Sequence, residues 1–192
     1  MANEWRGYTV DSAEKFLLNA GAFYKSATID DVTGIFAGTR LGATQGGGSL
    51  AITPEMRPIS VDGMPANTKG TKVIDDWDIT MTANLMEATA ENFKLALAAS
   101  DIDTDTNTEF DIVSVRRNLE TTDYIDNIAW VGRKSDNTPV IIIMDNVLST
   151  GGVNVTFADK SEGIIPLTLQ AHAPMDPDAN ELGCRIYIKK VA

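Results

Sequence analysis

Histidine and cysteine are almost missing from this chain of 192 residues, which holds one of each, His172 and Cys184. A single cysteine excludes an intrachain disulfide and any cysteine-rich zinc cluster, and a single histidine excludes a histidine-rich metal site. No apolar run exceeds five residues, as in Val140–Met144, whereas a transmembrane helix needs roughly 20. A basic start and an apolar centre are absent from residues 1–20, where Glu4, Arg6, Asp11, Glu14 and Lys15 interrupt every stretch. No secretory leader is expected, and the chain is expected to stay in the cytosol. Positive charge is scarce as well. With 16 Lys and Arg against 27 Asp and Glu, the net charge of -11 is opposite in sign to a nucleic-acid-binding footprint. What remains is ordinary: 43% hydrophobic and 22% charged residues specify a folded chain of one domain spanning 1–192.

The pattern along the chain predicts a mainly β protein. Residues 1–25 read as an N-terminal arm with a short strand, because Gly21 breaks the helical reading of Phe16, Leu17, Leu18 and Phe23. Residues 34–49 carry Gly34, Gly38, Gly42, Gly46, Gly47 and Gly48 and read as a long flexible loop, a feature that in a compact domain is usually functional. Leu50, Ile52 and Met56 alternate with Ala51, Thr53, Glu55 and Arg57, and Pro54 makes this an edge or bulged strand. Asp62-Gly63 supplies a hairpin turn. The strongest alternation follows: Val73, Trp77, Ile79, Met81, Ala83 and Leu85 on one face, with Asp76, Asp78, Thr80, Thr82 and Asn84 on the other. Thr89 and Glu91 then open one helix whose apolar face is Phe93, Ala96 and Leu97. Further strands are expected at 110–115, 128–132, 140–144, 153–157, 164–172 and 185–191. The architecture predicted is an antiparallel β-sandwich or barrel with one flanking α-helix.

Candidate chemistry is thin. Asp101, Asp103, Asp105, Asn107 and Glu109 have the every-second-residue oxygens of a calcium loop, but Thr106 and Ile112 stand where such a loop needs Gly and a bidentate Glu. The segment reads as a solvated connection. Gly42–Gly48 lacks the lysine of a phosphate cradle. No nucleophile elbow surrounds a serine, Cys184 lies in no nucleophile setting, and His172 reads as a structural or surface residue on a strand. Trp77 and Trp130 read as core aromatics rather than a ligand cage. No cofactor, metal or catalytic residue is expected, and the protein is not expected to be an enzyme. Residues 101–126 hold eight acids against two bases, Arg116 and Arg117, which reads as a solvated face or as a surface that repels another polyanion.

The chain resembles the major tail tube proteins of long-tailed bacteriophages. The likeness is carried by Leu18–Tyr24, Gly38–Gly48, Glu55–Gly63 and Lys69-Gly70, then by Trp77 with Asn84–Thr89. It continues through Pro139–Asn146 and through Lys160–Glu162 leading into Pro166–His172. Type VI secretion tubes and the inner tubes of contractile tails share that fold. The resemblance implies a subunit that closes as a homohexameric ring and stacks into a hollow conduit for the genome. The virion tail would be its location, after assembly in the host cytoplasm. No immunoglobulin-like decoration is expected after the last strand. Partners implied are further copies of itself, the tail tip or initiator, the terminator, the tape measure protein, and DNA that passes without specific binding. On this reading Asp76, Asp78, Thr80, Thr82 and Asn84 line the lumen, joined by Thr53, Glu55 and Arg57. Gly38, Arg40, Gly42, Gln45, Gly46, Gly47 and Gly48 form the loop between rings, mobile in the monomer and ordered in the tube. The alternative is a soluble acidic β-sandwich that binds a carbohydrate or peptide through its glycine loop.

Overall fold

A computed structural model describes residues 7–30, 32–65, 67–176 and 182–190. After a 3-10 turn at Val10–Lys15, the strands are β1 (Leu17–Ile29), β2 (Phe36–Arg40), β3 (Thr44–Pro58) and β4 (Lys72–Leu85). The helix α1 (Ala90–Ala96) precedes β5 (Ser100–Asp103) and β6 (Ile112–Val115), followed by β7 (Ile125–Lys134), β8 (Pro139–Ser149), β9 (Ile165–Ala171) and β10 (Cys184–Ile188). Eight strands form one antiparallel sheet in the order β2-β1-β7-β8-β9-β4-β3, with β10 beside β8, while β5 and β6 form a separate hairpin. The chain is thus mainly β with one flanking helix, as its alternating pattern predicts. Among the described residues no helix is long and apolar enough to cross a membrane.

One sheet makes both layers because it folds over until its two ends meet. β1 and β3 are not paired, yet a Cβ on Gly47 would lie 3.5 Å from the Ala20 methyl, and a Cβ on Gly48 would strike the Phe23 ring. Phe23, Met81, Leu85, Ile128, Met144, Leu167 and Leu169 are all buried in the space so enclosed. β8 sits at the branch point: Val140–Met144 pair with β10, and Val147–Ser149 pair with β9. At the joint, Asn146 takes a φ of +51°, its carbonyl accepts from His172 N, and Asp145 N donates to Gly183 O. The His172 ring packs edge-on to Tyr124 at 5.2 Å, with Nδ1 3.1 Å from Gln170 O. It is part of this joint. On the outside of the fold Ala27, Ala129, Ile141 and Ile143 form a second, smaller core under Tyr24, Phe36 and Tyr187.

Several sequence expectations are corrected. The arm at 1–25 is not an arm over its described part, because residues 17–29 form a strand between β7 and β2; residues 1–6 lie outside the described residues. The flexible loop at 34–49 is largely strand: Gly38 and Arg40 belong to β2, and Gln45, Gly46, Gly47 and Gly48 to β3. Residues 153–157 form no strand, since Val153 and Val155 satisfy their alternation by packing on the core without a ladder partner. The last strand ends at Ile188, and Val191 is outside the described residues. Val73 does not share the face of Trp77, because Asp75 is an extra residue: Glu55 pairs with Asp76 but Met56 with Ile74. That bulge flips everything beyond it to the other face.

The helix is capped as expected, with Thr89 accepting from Asn92 N, but its buried face is Asn92, Leu95 and Ala96. Leu97 is the C-cap with extended backbone at φ -99° and ψ 132°, so it leaves the helical face and is only half-buried. Leu95→Ala should therefore cost about 2 to 5 kcal/mol of stability, the usual range for a buried leucine. Leu97→Ala should cost less than half of that. Denaturant midpoints of the two variants check the order, and a larger loss at Leu97 would show the helical face to be misassigned.

Candidate functional site

The two-faced strand β4 organises the surface on which the sequence places function. Its register puts Ser49, Thr82 and Thr168 in one row across β3, β4 and β9, and Ala51, Thr80 and Gln170 in the next. Thr53 faces Asp78 and Glu55 faces Asp76, while Asn84 pairs with Pro166. Seven of the eight lumen candidates, Asp76, Asp78, Thr80, Thr82, Asn84, Thr53 and Glu55, thus share one polar face. The eighth, Arg57, keeps to that side of β3, but the bulge sets it opposite Val73, and its guanidinium is held by Asp75 at 2.9 Å. Asp76 and Asp78 are exposed.

Hydroxyls and amides tie this face together. Ser49 Oγ lies 2.7 Å from Thr82 Oγ1, Thr80 Oγ1 donates to Asp78 Oδ1 at 3.0 Å, and Gln170 Nε2 donates to the same oxygen at 3.2 Å. The result is a polar face carried on a pleated ladder, with the exposed acids Glu55, Asp76 and Asp78 along it.

The opposite face of the same strands behaves differently. β9 stops pairing with β4 at Thr80, so beyond that point β3 and β4 continue as a two-stranded arm. Along its inner side run Ile52, Pro54, Met56, Ile74 and Trp77, and Ile52, Met56 and Ile74 are 38%, 53% and 47% exposed. The connecting loop adds the exposed Ile59, Val61 and Met64. An isolated two-stranded ribbon is marginal in water, and this one carries exposed apolar side chains on one side. The sequence contains the signal in Ile59, Val61 and Met64 flanking Asp62-Gly63, but a tight turn alone does not reveal that the arm outruns its neighbour.

The glycine candidates lie in or between strands. Between its pairings at Thr44 and Gly48, β3 spends three residues, Gln45, Gly46 and Gly47, against the single Asn84 of β4, with Gly46 and Gly47 at φ +75° and +71°. That is a bulge at the seam with β1. Gly42, in the β2–β3 connection, has φ +119°, and a Cβ there would come within 2.6 Å of the Glu87 carboxylate. Glu87 accepts from Ala43 N at 2.7 Å, and Asn92 Nδ2 donates to Leu41 O and Glu87 O, so the connection is clamped to the helix. Arg40 lies over the Tyr24 ring at 5.7 Å. These seven residues are not gathered into one loop.

The acidic stretch is partly neutralised from within. Arg116 holds Asp101 at 2.7 Å, Glu120 at 3.0 Å and the buried Asp123, so one guanidinium serves three carboxylates. Asp103 accepts from Thr106 and Asp105, which holds its carboxyl below the usual range, first through the Thr106 hydroxyl. Asn107 likewise accepts from Glu109 N and Phe110 N. Of the oxygens that suggest a calcium loop, those of Asp103 and Asn107 are committed to turns and Asp101 is paired with Arg116. Cys184 is half-buried against the core, and burial followed by Asp145 pushes its thiol up.

Two tests follow from these contacts. Gly48→Ala should destabilise by about 1 to 3 kcal/mol through overpacking against Phe23 and the Thr82 carbonyl, measured as a fall in the denaturant midpoint. Glu91 is hydrogen-bonded and paired to Lys25 of β1, which holds its carboxyl below 4.5. A carboxylate depressed in the folded state stabilises above its unfolded pKa and loses that contribution as pH falls through the folded value. Glu91→Gln should thus cost no more than about 1 kcal/mol at neutral pH, the pair being exposed. The gap from the parent should close on acidification below about 4.5, and a gap unchanged at pH 3 would dismiss the pair. The chain matches no family model and no curated protein sequence.

Proposed function

We propose that this chain is a structural subunit of a phage-type tail tube, a non-enzymatic protein whose copies close into a ring of six and stack into a conduit for the genome. The observation that carries the reading is the β3–β4 arm, polar on one side and bare apolar on the other. A surface of that kind is stable when a second copy covers the apolar side and water fills the space beside the polar one. β3 and β2, at the two ends of the sheet, each have one unpaired edge. Such edges are a hazard in a monomer and a joint in a ring. The polar face with Glu55, Asp76 and Asp78 would line the channel. Each acid is repeated in every subunit and every ring, so the wall repels DNA, which carries about one charge per 1.7 Å. Screening over roughly 8 to 10 Å confines the effect to DNA near the wall. The tail tip or initiator, the terminator and the tape measure protein complete the partners of such a tube in the virion tail.

Electron microscopy of the concentrated protein, with sedimentation velocity, tests this reading. Rings or tubes are expected, and a monomer at every concentration would overturn it. Asp76→Lys with Asp78→Lys should leave the fold and the tubes intact and slow genome release in a salt-dependent way. Release at the parental rate from virions carrying the variant would remove these aspartates from the lumen.

A further inference from the structure

Resting on that reading, the structure also contains a place for the arm to go. The folded sheet is closed at one end by α1, where Ser149 Oγ donates to Ala96 O. Seven residues back along β8, about 23 Å away at strand rise, the other end is open among the described residues. There a crevice of about 460 Å³ between β1 and β3 is lined by Leu17, Phe23, Leu50, Met81, Trp130 and Ile142. Ile186 is the register partner of Ile142, and Ile188 that of Val140; both are more than half exposed and extend the apolar lip.

The rim of this mouth is basic. Arg133 and Lys134 are the register partners of Leu18 and Leu17, Lys15 precedes them, and Lys189 and Lys190 follow Ile188. The nearby acids are Asp136, paired with Lys134, and Asp11 and Glu14 in the turn that carries Lys15, fewer than the bases Lys15, Arg133, Lys134, Lys189 and Lys190. The arm has the opposite balance: Glu55, Asp62, Asp75, Asp76 and Asp78 against Arg57, Lys69 and Lys72, with Arg57 already paired to Asp75. A chain cannot fill its own mouth with its own tip. Leu50 stands at the lip, and the strand runs outward to Ile59 about 30 Å away.

We propose that the crevice between β1 and β3 receives the apolar tip of a second copy's β3–β4 arm, Met56, Ile59, Val61 and Met64, with the basic rim facing the acids of that arm. Donor and receiver are different surfaces, so the contact is head-to-tail and propagates into rings or stacks. Complementary charge orients it and sets its salt dependence. A small apolar ligand in the crevice would leave the arm bare.

Cross-linking between two single-cysteine proteins tests the assignment. Met64→Cys and Leu17→Cys, each with Cys184→Ser, are mixed and treated with a short bismaleimide. A mixed product well above either variant alone is expected. In a second measurement that keeps Cys184, Arg133→Glu with Lys189→Glu should raise the concentration needed for assembly at least about tenfold, roughly 1.4 kcal/mol, and Asp62→Lys should restore it. Cross-linked closed dimers without rings would support the mouth and overturn the tube. Tubes that form without the mixed product and are indifferent to the charge reversals would overturn the mouth and keep the tube. An apolar dye that binds the crevice equally in free and assembled protein would also overturn it.

Discussion

The close approach of β3 to β1 is the constraint on which the rest depends. A single eight-stranded sheet has two faces and no second layer, and it buries a core only by folding its ends together. The meeting point is Gly47 and Gly48 against Ala20 and Phe23. A side chain on Gly48 would strike Phe23 and the Thr82 carbonyl, and apolar burial worth roughly 25 cal/mol per Å² would be lost wherever the seam opened. The helix then closes one end, and Glu87 and Asn92 fasten the β2–β3 connection to it. The opposite end has no such closure among the described residues, and Trp130 and Ile142 line a crevice there.

From that asymmetry come two incomplete surfaces, an arm that extends past the sheet and a mouth that the sheet does not seal. Each exposes apolar side chains that a free monomer would hide at little cost by small changes of sequence. On the proposed reading, mutual burial between copies would cover both. The polar face of β3, β4 and β9 is built differently. Its hydroxyls and amides bond to one another and to Asp78 across β3, β4 and β9.

Legibility in the sequence followed the range of the interaction. β4 was readable because one long strand with a dry and a wet face alternates strictly, and the Thr89 cap was readable because its partner is three residues away. The Gly38–Gly48 segment was not. Glycine density signals freedom in a loop and close approach in a strand alike, and only the partners, Phe23, Ala20 and Glu87, distinguish them. Val73 fell on an unexpected face, opposite Arg57, because the extra residue Asp75 becomes a bulge only against a defined register. The acidic stretch looked uniformly solvated because nothing local announces that Arg116 would gather Asp101, Glu120 and Asp123.

By itself, then, the sequence determined the mainly β class, the single helix, the two-faced β4 with its acids, and the exclusion of disulfides and histidine-rich metal sites. Those properties are set by composition and by periods of two and 3.6 residues, which a chain carries locally. Tertiary structure alone decided that the glycines form a seam, that β3 and β4 outrun β9, and that a basic-rimmed crevice opens beside Trp130. Those depend on register and on which edges meet, and pairing between strands far apart in the chain leaves no periodic trace in either one.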